Sequence, residues 1–186
     1  ENIVHRDLKP HNVMISSDGC AKLADFGTSI SADRVGQSGG EAKGTPQYMA
    51  PEACRGEVPT AAHDMWSFGM LMAQTLTGRL PWRDDVVGFP FVPVRFTYLL
   101  GNSDLKPDIP TDVDPEAADV LRRCWSRDPT ERPTAAEVLA TDGKTPMYVA
   151  ADGKLVGLIA VADTIKPEAP EVVAQLKQMG NVSYPR

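Results

Sequence analysis

Between Asn12 and Asp25 the chain has room for little except a hairpin, and that hairpin decides what its two ends can do. Val13-Met14-Ile15 and Cys20-Ala21-Lys22-Leu23-Ala24 flank Ser16-Ser17-Asp18-Gly19. Two short apolar runs around an Asp-Gly turn signal read as paired antiparallel strands. Folding back on that turn brings Asn12 and Asp25 side by side at the open end. A carboxylate beside a carboxamide oxygen is a hard-oxygen pair suited to Mg²⁺ carrying phosphates. Asp7 and Lys9 precede the first strand, within His5-Arg6-Asp7-Leu8-Lys9-Pro10-His11-Asn12, and add a second carboxylate and an ammonium. An acid group to steer a hydroxyl proton, a cation for phosphate and a Mg²⁺ clamp together point to phosphoryl transfer.

Composition sets the surroundings of that chemistry. A chain of 186 residues with 42% hydrophobic content can bury one or two cores, and its net charge of −6 gives no support for nucleic-acid or membrane-surface binding. It contains no signal-peptide pattern and no apolar run of about 18 residues. Cys20, Cys54 and Cys124 are isolated from one another, without metal-ligand spacing. A sparse, odd set of this kind predicts reduced, buried structural thiols and a cytoplasmic setting.

The octamer at 5–12 and Asp25-Phe26-Gly27 resemble the catalytic loop and metal-binding motif of eukaryotic-type protein kinases. The resemblance implies ATP and Mg²⁺ as cofactors, Asp7 as catalytic base, and Asn12 and Asp25 as metal ligands. It places Lys9 beside the phosphates in the Ser/Thr-kinase form and Met14 on the floor of the adenine pocket. The likeness continues in order along the chain. Gly44-Thr45-Pro46-Gln47-Tyr48-Met49-Ala50-Pro51-Glu52 is similar to the end of an activation segment. Asp64-Met65-Trp66-Ser67-Phe68-Gly69 is similar to the start of the central helix of the large lobe, and Cys124-Trp125, Asp128-Pro129 and Arg132-Pro133 to its closing region. The family pattern pairs Arg132 with Glu52, uses Asp64 to hold the catalytic-loop backbone, and sets Thr45 against the catalytic Asp and Lys. Cys124-Trp125 before Asp128-Pro129 leans toward the tyrosine-kinase-like or mitogen-activated kinase-kinase-kinase groups.

Residues 28–44 are polar, rich in Ser and Gly and without apolar periodicity, which predicts a loop. Within it Ser38 is the candidate phosphoacceptor, because Arg6 beside the catalytic Asp can receive a phosphate bidentately. The alternative is a solvated serine without a regulatory role. Helical signals follow: Thr60 as N-cap, Met65, Phe68, Met72 and Leu76 as an apolar stripe, and Gly78 past the end. Trp66 and Trp82 read as core or loop anchors. Asp114-Pro115 opens another helix with Leu121, Cys124 and Trp125 on its buried face, and Thr134 with Glu137 forms a capping box. Residues 83–113 read as irregular, broken by Pro90, Pro93, Pro107 and Pro110. His5 reads as packed, His11 as an ordinary surface side chain, and His63 has no legible partner.

The expected fold is mainly α with short β-hairpins: a kinase-like large lobe over 1–141, then a small hairpin-plus-helix extension over 142–186. The Gly-rich loop, strand lysine and helix glutamate of a small lobe do not occur in these residues. The expectation is therefore a Ser/Thr protein kinase domain fragment, acting on a protein substrate, whose isolated chain binds ATP weakly and turns over little. A non-catalytic interaction module is the alternative from a different class. The extension carries Met147-Tyr148-Val149-Ala150 and Leu155 to Ala162 as hairpin strands, then a helix with Val172, Val173, Leu176 and Met179 inward. Residues 143–180 resemble a fragment of heavy-metal-transporting P-type ATPases, in Gly143 to Ala150 and Ala160 to Pro167, with Asp163 and Lys166 matching a hinge pair. An unrelated hairpin and helix is the other reading. A piece of a metal-transporting ATPase remains a third function, without the aspartyl-phosphate motif it would need.

Overall fold

The computed structural model describes residues 3–17, 21–31, 42–82, 86, 91–140, 145–151 and 154–161. Strand β1 (Ile3–Val4) pairs antiparallel with β4 (Ile30–Ser31), and β2 (Val13–Ile15) with β3 (Ala21–Leu23). Helices α1 (Pro51–Cys54), α2 (Ala61–Thr77), α3 (Pro93–Asn102), α4 (Pro115–Cys124) and α5 (Ala135–Ala140) follow. A last antiparallel pair, β5 (Thr145–Ala151) and β6 (Lys154–Val161), runs beside β2 and α2. The described residues are thus helix-rich with a few short strands.

Helix α2 is the axis of the molecule. It starts where Thr60 leaves extended backbone, with the Thr60 N–H donating to His63 Nδ1 at 2.7 Å. It stops at Gly78, whose φ of 73° is left-handed backbone that a glycine adopts without a steric cost. The sequence stripe underestimates its burial: Met65 and Met72 are buried as expected, but so are Trp66, Met70, Leu71 and Ala73. A helix covered nearly all round is a core helix, not a surface one. Tyr48, Trp82, Phe96, Leu100, Leu121, Cys124 and Trp125 complete the core around it.

Helix α4 begins as its sequence requires, with Asp114 accepting from the Glu116 N–H at 2.8 Å and Pro115 in the first turn. It lies against α2 at Gly69, where a Cβ would sit 2.7 Å from Trp125 Nε1 and 2.9 Å from Cys124 Cβ. Gly69→Ala is therefore expected to destabilise the chain by about 1–3 kcal/mol, read from its urea midpoint, because the packed helices must separate. The capping box opening α5 is also in place, with the Thr134 N–H donating to Glu137 Oε2 at 2.7 Å and the Glu137 N–H to Thr134 Oγ1 at 3.2 Å.

Residues 83–113 are not irregular throughout. Helix α3 runs ten residues from Pro93, which occupies the first turn instead of breaking it. A proline there loses no intrahelical bond. Burial of Phe96 and Leu100 holds the helix to the core, each worth about 1.5–3 kcal/mol. The polar stretch 28–44 is likewise not all loop, since Ile30 and Ser31 pair with Val4 and Ile3. The Asp18-Gly19 turn, Cys20, Ser38, Asp163, Lys166 and the helix expected after Pro170 lie outside the described residues.

Candidate active site

Hairpin β2–β3 aligns Val13 with Leu23, and the Ala24 N–H donates to the Asn12 carbonyl at 2.9 Å. Asn12 and Asp25 consequently flank one mouth of the hairpin. Asn12 is buried, and its Nδ2 donates to the Asp7 carbonyl at 2.8 Å and to Asp7 Oδ2 at 3.2 Å. Both amide protons are spent on Asp7, which leaves Oδ1 as the group able to face a cation. Asp25 is exposed, with left-handed backbone at φ 59°, and accepts a long 3.4 Å bond from the Gly27 N–H.

Asp7 sits at the centre of a polar cluster. Lys9 Nζ donates to Asp7 Oδ2 at 2.6 Å and to Thr45 Oγ1 at 2.8 Å. Thr45 donates to Asp7 Oδ1 twice, from its N–H at 2.8 Å and its hydroxyl at 2.7 Å. Partial burial pushes the Asp7 carboxyl up, but the Lys9 and Thr45 hydrogen bonds and the Lys9 charge outweigh it and hold the pKa below 3.8. Asp7 is therefore a carboxylate at neutral pH. The geometry joins segment 5–12 to Thr45, 38 residues on.

Asp64 clasps the backbone that carries this cluster. Its two oxygens accept from the His5 N–H at 2.7 Å and the Arg6 N–H at 2.9 Å. Arg6 has a φ of 68°, a strained value for a non-glycine residue, and the clasp opposes its relaxation. Burial raises the Asp64 pKa, against the pull of those two N–H groups. His5 is buried, its Nε2 3.0 Å from the Ala24 carbonyl and its ring edge-on to Phe26 at 5.0 Å. Arg6 Nε donates to the Thr28 carbonyl, and Arg6 lines a small recess with Lys43, Glu57 and His63. Met14 stands exposed on β2, and His11 is exposed too.

Glu52 and Arg132 meet in the interior, Nη1 to Oε1 at 2.5 Å and Nη2 to Oε2 at 2.8 Å. Arg132 also donates to the carbonyls of Ala62 at 2.8 Å and Ser126 at 2.9 Å, and its guanidinium lies 5.1 Å from the centre of the Trp66 ring. The segment between Thr45 and Glu52 is thus tied at both ends, and Trp82 pins its middle by donating to the Gln47 carbonyl at 2.9 Å. Burial lifts the thiols of Cys54 and Cys124 to about 12, so both are inert packing groups.

Sequence reasoning missed His63. It belongs to the same buried cluster, its Nε2 3.9 Å from Glu52 Oε1. Its place three residues after the Thr60 cap was the signal that could have found it. Burial lowers the His63 pKa below 6.5 although Glu52 pulls the other way, so the native imidazole is neutral. The unfolded chain takes up the proton first, and stability from this site is complete above the unfolded value and declines as pH falls below it. The urea midpoint is expected to fall between about pH 7.5 and about pH 5.5, and His63→Gln to flatten that fall. Parallel pH profiles for the two proteins would reject the assignment.

Comparison with known proteins places these residues in a family. The protein kinase domain model matches residues 1–142. Mitogen-activated protein kinase kinase kinase 17 of Arabidopsis thaliana is 40% identical over 144 residues, which cover 75% of this chain and 36% of that protein. A probable serine/threonine-protein kinase of Dictyostelium discoideum is 36% identical over 137 residues, covering 74% of this chain and 26% of that protein. The kinase kinase kinase YODA of Arabidopsis thaliana is 38% identical over 141 residues, covering 75% and 15%. The chain spans about a third or less of the length of these curated relatives. No helix among the described residues is long and apolar enough to cross a membrane. With the family model over residues 1–142, most of its length, the chain belongs to the protein kinase domain family.

Proposed function

We propose that this chain is the large, C-terminal lobe of a Ser/Thr protein kinase, over residues 1–141, followed by a distinct extension over 142–186. The lobe transfers the γ-phosphoryl group of ATP to a protein hydroxyl in a cytoplasmic setting. The carrying observation is the Asp7–Lys9–Thr45 cluster set beside Asn12 at the mouth of β2–β3. The relatives named as mitogen-activated protein kinase kinase kinases support that subgroup for this lobe.

The residues present fit a hard cation carrying phosphates. The Asn12 carboxamide gives both of its amide protons to Asp7, so its oxygen is the end left to meet a cation, and exposed Asp25 adds a carboxylate. Two protein oxygens suit Mg²⁺, which prefers to fill its shell with phosphate and water. Bound MgATP would supply the transferring phosphoryl group and the cation that neutralises its charge. Lys9 puts a positive charge next to Asp7 and Thr45, where charge on a transferred group would develop. Asp7, ionised and held on three sides, orients the acceptor hydroxyl and receives its proton. Thr45 is a positioning residue that locks the carboxylate plane. Met14 supplies apolar surface under the adenine, and Arg6 beside Lys43 supplies charge for a phosphorylated Ser38.

These 186 residues contain no Gly-rich loop or strand lysine to grip the phosphates. The polypeptide alone is accordingly expected to bind ATP weakly and to phosphorylate a generic Ser/Thr peptide at background level. Joined to a small lobe that carries those elements, it is expected to turn over. Brisk turnover by the 186-residue chain would overturn the two-lobe requirement. No transfer by the joined polypeptide would favour the non-catalytic interaction module instead.

A further inference from the structure

The short turn Pro46–Tyr48 follows directly on Thr45, whose N–H and hydroxyl both donate to Asp7 Oδ1. Four consecutive carbonyls of this stretch are engaged inside the protein. Thr45 and Pro46 accept from within it, from the Tyr48 N–H at 2.9 Å and the Met49 N–H at 3.2 Å. The next two are held from other elements. Trp82 Nε1 donates to the Gln47 carbonyl at 2.9 Å, and Ser67 Oγ to the Tyr48 carbonyl at 2.8 Å. Pro46 and Gln47 remain half-buried, at the edge of solvent.

Of the two outside donors, Trp82 is the one aimed by its own packing. Its ring is buried and stands edge-on to Phe96, centroids 5.1 Å apart and planes at 84°. An indole has one N–H and no acceptor, so its single bond goes to Gln47. Burial alone does not account for that bond. Trp66 and Trp125 are buried in the same core, and neither has a hydrogen-bond partner for Nε1 among the described residues.

A peptide chain advances by at most about 3.3–3.6 Å per residue. A protein that presents a hydroxyl to Asp7 therefore lays its neighbouring residues within one or two residue lengths of that carboxylate, where Thr45 and the turn after it form a border. We propose that Trp82 is a positioning residue for the protein acceptor, its N–H fixing the turn Pro46–Tyr48 as the ledge on which the acceptor chain lies. The proposal rests on the reading of Asp7 as the group that receives the acceptor's proton. Without the indole N–H the ledge can shift, while the Asp7–Lys9–Thr45 cluster keeps its own bonds.

In a polypeptide that joins this chain to a kinase small lobe, Trp82→Phe keeps a ring against Phe96 and removes the donor. The KM for a Ser/Thr peptide is expected to rise about three- to tenfold, with kcat and the KM for ATP within about twofold of the parent. Hydrolysis of ATP, with water as the acceptor, uses no ledge and is expected to be unchanged. Gly69→Ala strains the contact between α2 and α4 instead, and serves as the stability control: it is expected to lower the urea midpoint without moving the peptide KM. A peptide KM that stays within about twofold in Trp82→Phe, or rises equally in Gly69→Ala, would overturn the proposal. No transfer by the unaltered joined polypeptide would overturn the reading of Asp7 and the proposal with it; transfer with an unmoved KM sinks the proposal alone. Should Trp82→Phe unfold, 3-benzothienylalanine at position 82, which puts sulfur in place of the N–H in a ring of the same shape, decides by the same KM.

Discussion

Asp7→Asn, in a polypeptide that joins this chain to a kinase small lobe, is expected to slow phosphoryl transfer by about 10²–10⁴-fold. Nucleotide affinity is expected to stay within about threefold, since the carboxylate is not itself among the metal-ligand candidates. The size follows from what the substitution does to the cluster. Asp7 Oδ1 accepts two hydrogen bonds from Thr45, and Oδ2 accepts from Lys9 and Asn12. An amide at that place must turn its NH₂ toward one of those donor pairs, so it loses the proton acceptor and sets donor against donor. Thr45→Val separates the two effects. It removes the hydroxyl's bond to Asp7 and the one it accepts from Lys9 but leaves the carboxylate and its Lys9 partner, and a smaller loss in kcat is expected, with KM for the protein substrate little changed. Transfer rates of Asp7→Asn within a few-fold of the parent would remove Asp7 from the chemistry and the reading with it.

The largest expected loss of stability comes from Arg132→Met, at about 3–5 kcal/mol in urea unfolding of the full chain. The Glu52 carboxylate is buried and its two oxygens are both occupied by Arg132. Without the guanidinium it keeps a buried charge whose two oxygens have lost their hydrogen bonds, with the His63 imidazole 3.9 Å away. The remaining imidazole then becomes the nearest cation in waiting, and its pKa is expected to rise in the variant. The double change Glu52→Gln with Arg132→Met should recover part of the loss, because the uncompensated charge is gone. A double variant as unstable as the single one would mean that packing on Trp66 and the bonds to Ala62 and Ser126 dominate, not the ion pair.

The elements that local chemistry specifies were open to reading in the sequence. Thr60, the apolar stripe and Gly78 agree on one helix, and Asp114-Pro115 and Thr134 with Glu137 announce the next two. The hairpin between Asn12 and Asp25 was legible from its apolar runs and turn signal alone. Helix α3 escaped because Pro93 was counted as a breaker, when the same ring is harmless in a first turn. The burial of α2 was understated, because periodicity marks the strongest face and is silent about neighbours arriving on the others. Contacts across long stretches, such as Asp64 to the His5 and Arg6 backbone or Thr45 to Asp7, carry no local signal. Only the family resemblance suggested them, and the same holds for Glu52 with Arg132. His63 had only its place three residues after the Thr60 cap to announce it, and Trp82, legible as an anchor, gave no sign that its partner is the Gln47 carbonyl.

The Glu52–Arg132 pair also sets a clock. Its partners stand 80 positions apart, which at a synthesis rate of about 5–20 residues per second is a wait of about 4–16 s on the ribosome. During that interval Glu52 is an acidic group facing water, and the chain from Thr45 to Glu52 has no fixed end. Helix α2 can form early from its own caps, but the interior around it cannot close over an unpaired carboxylate. Closure therefore waits for Arg132, and a nascent chain released before that residue emerges would hold its helices without its centre.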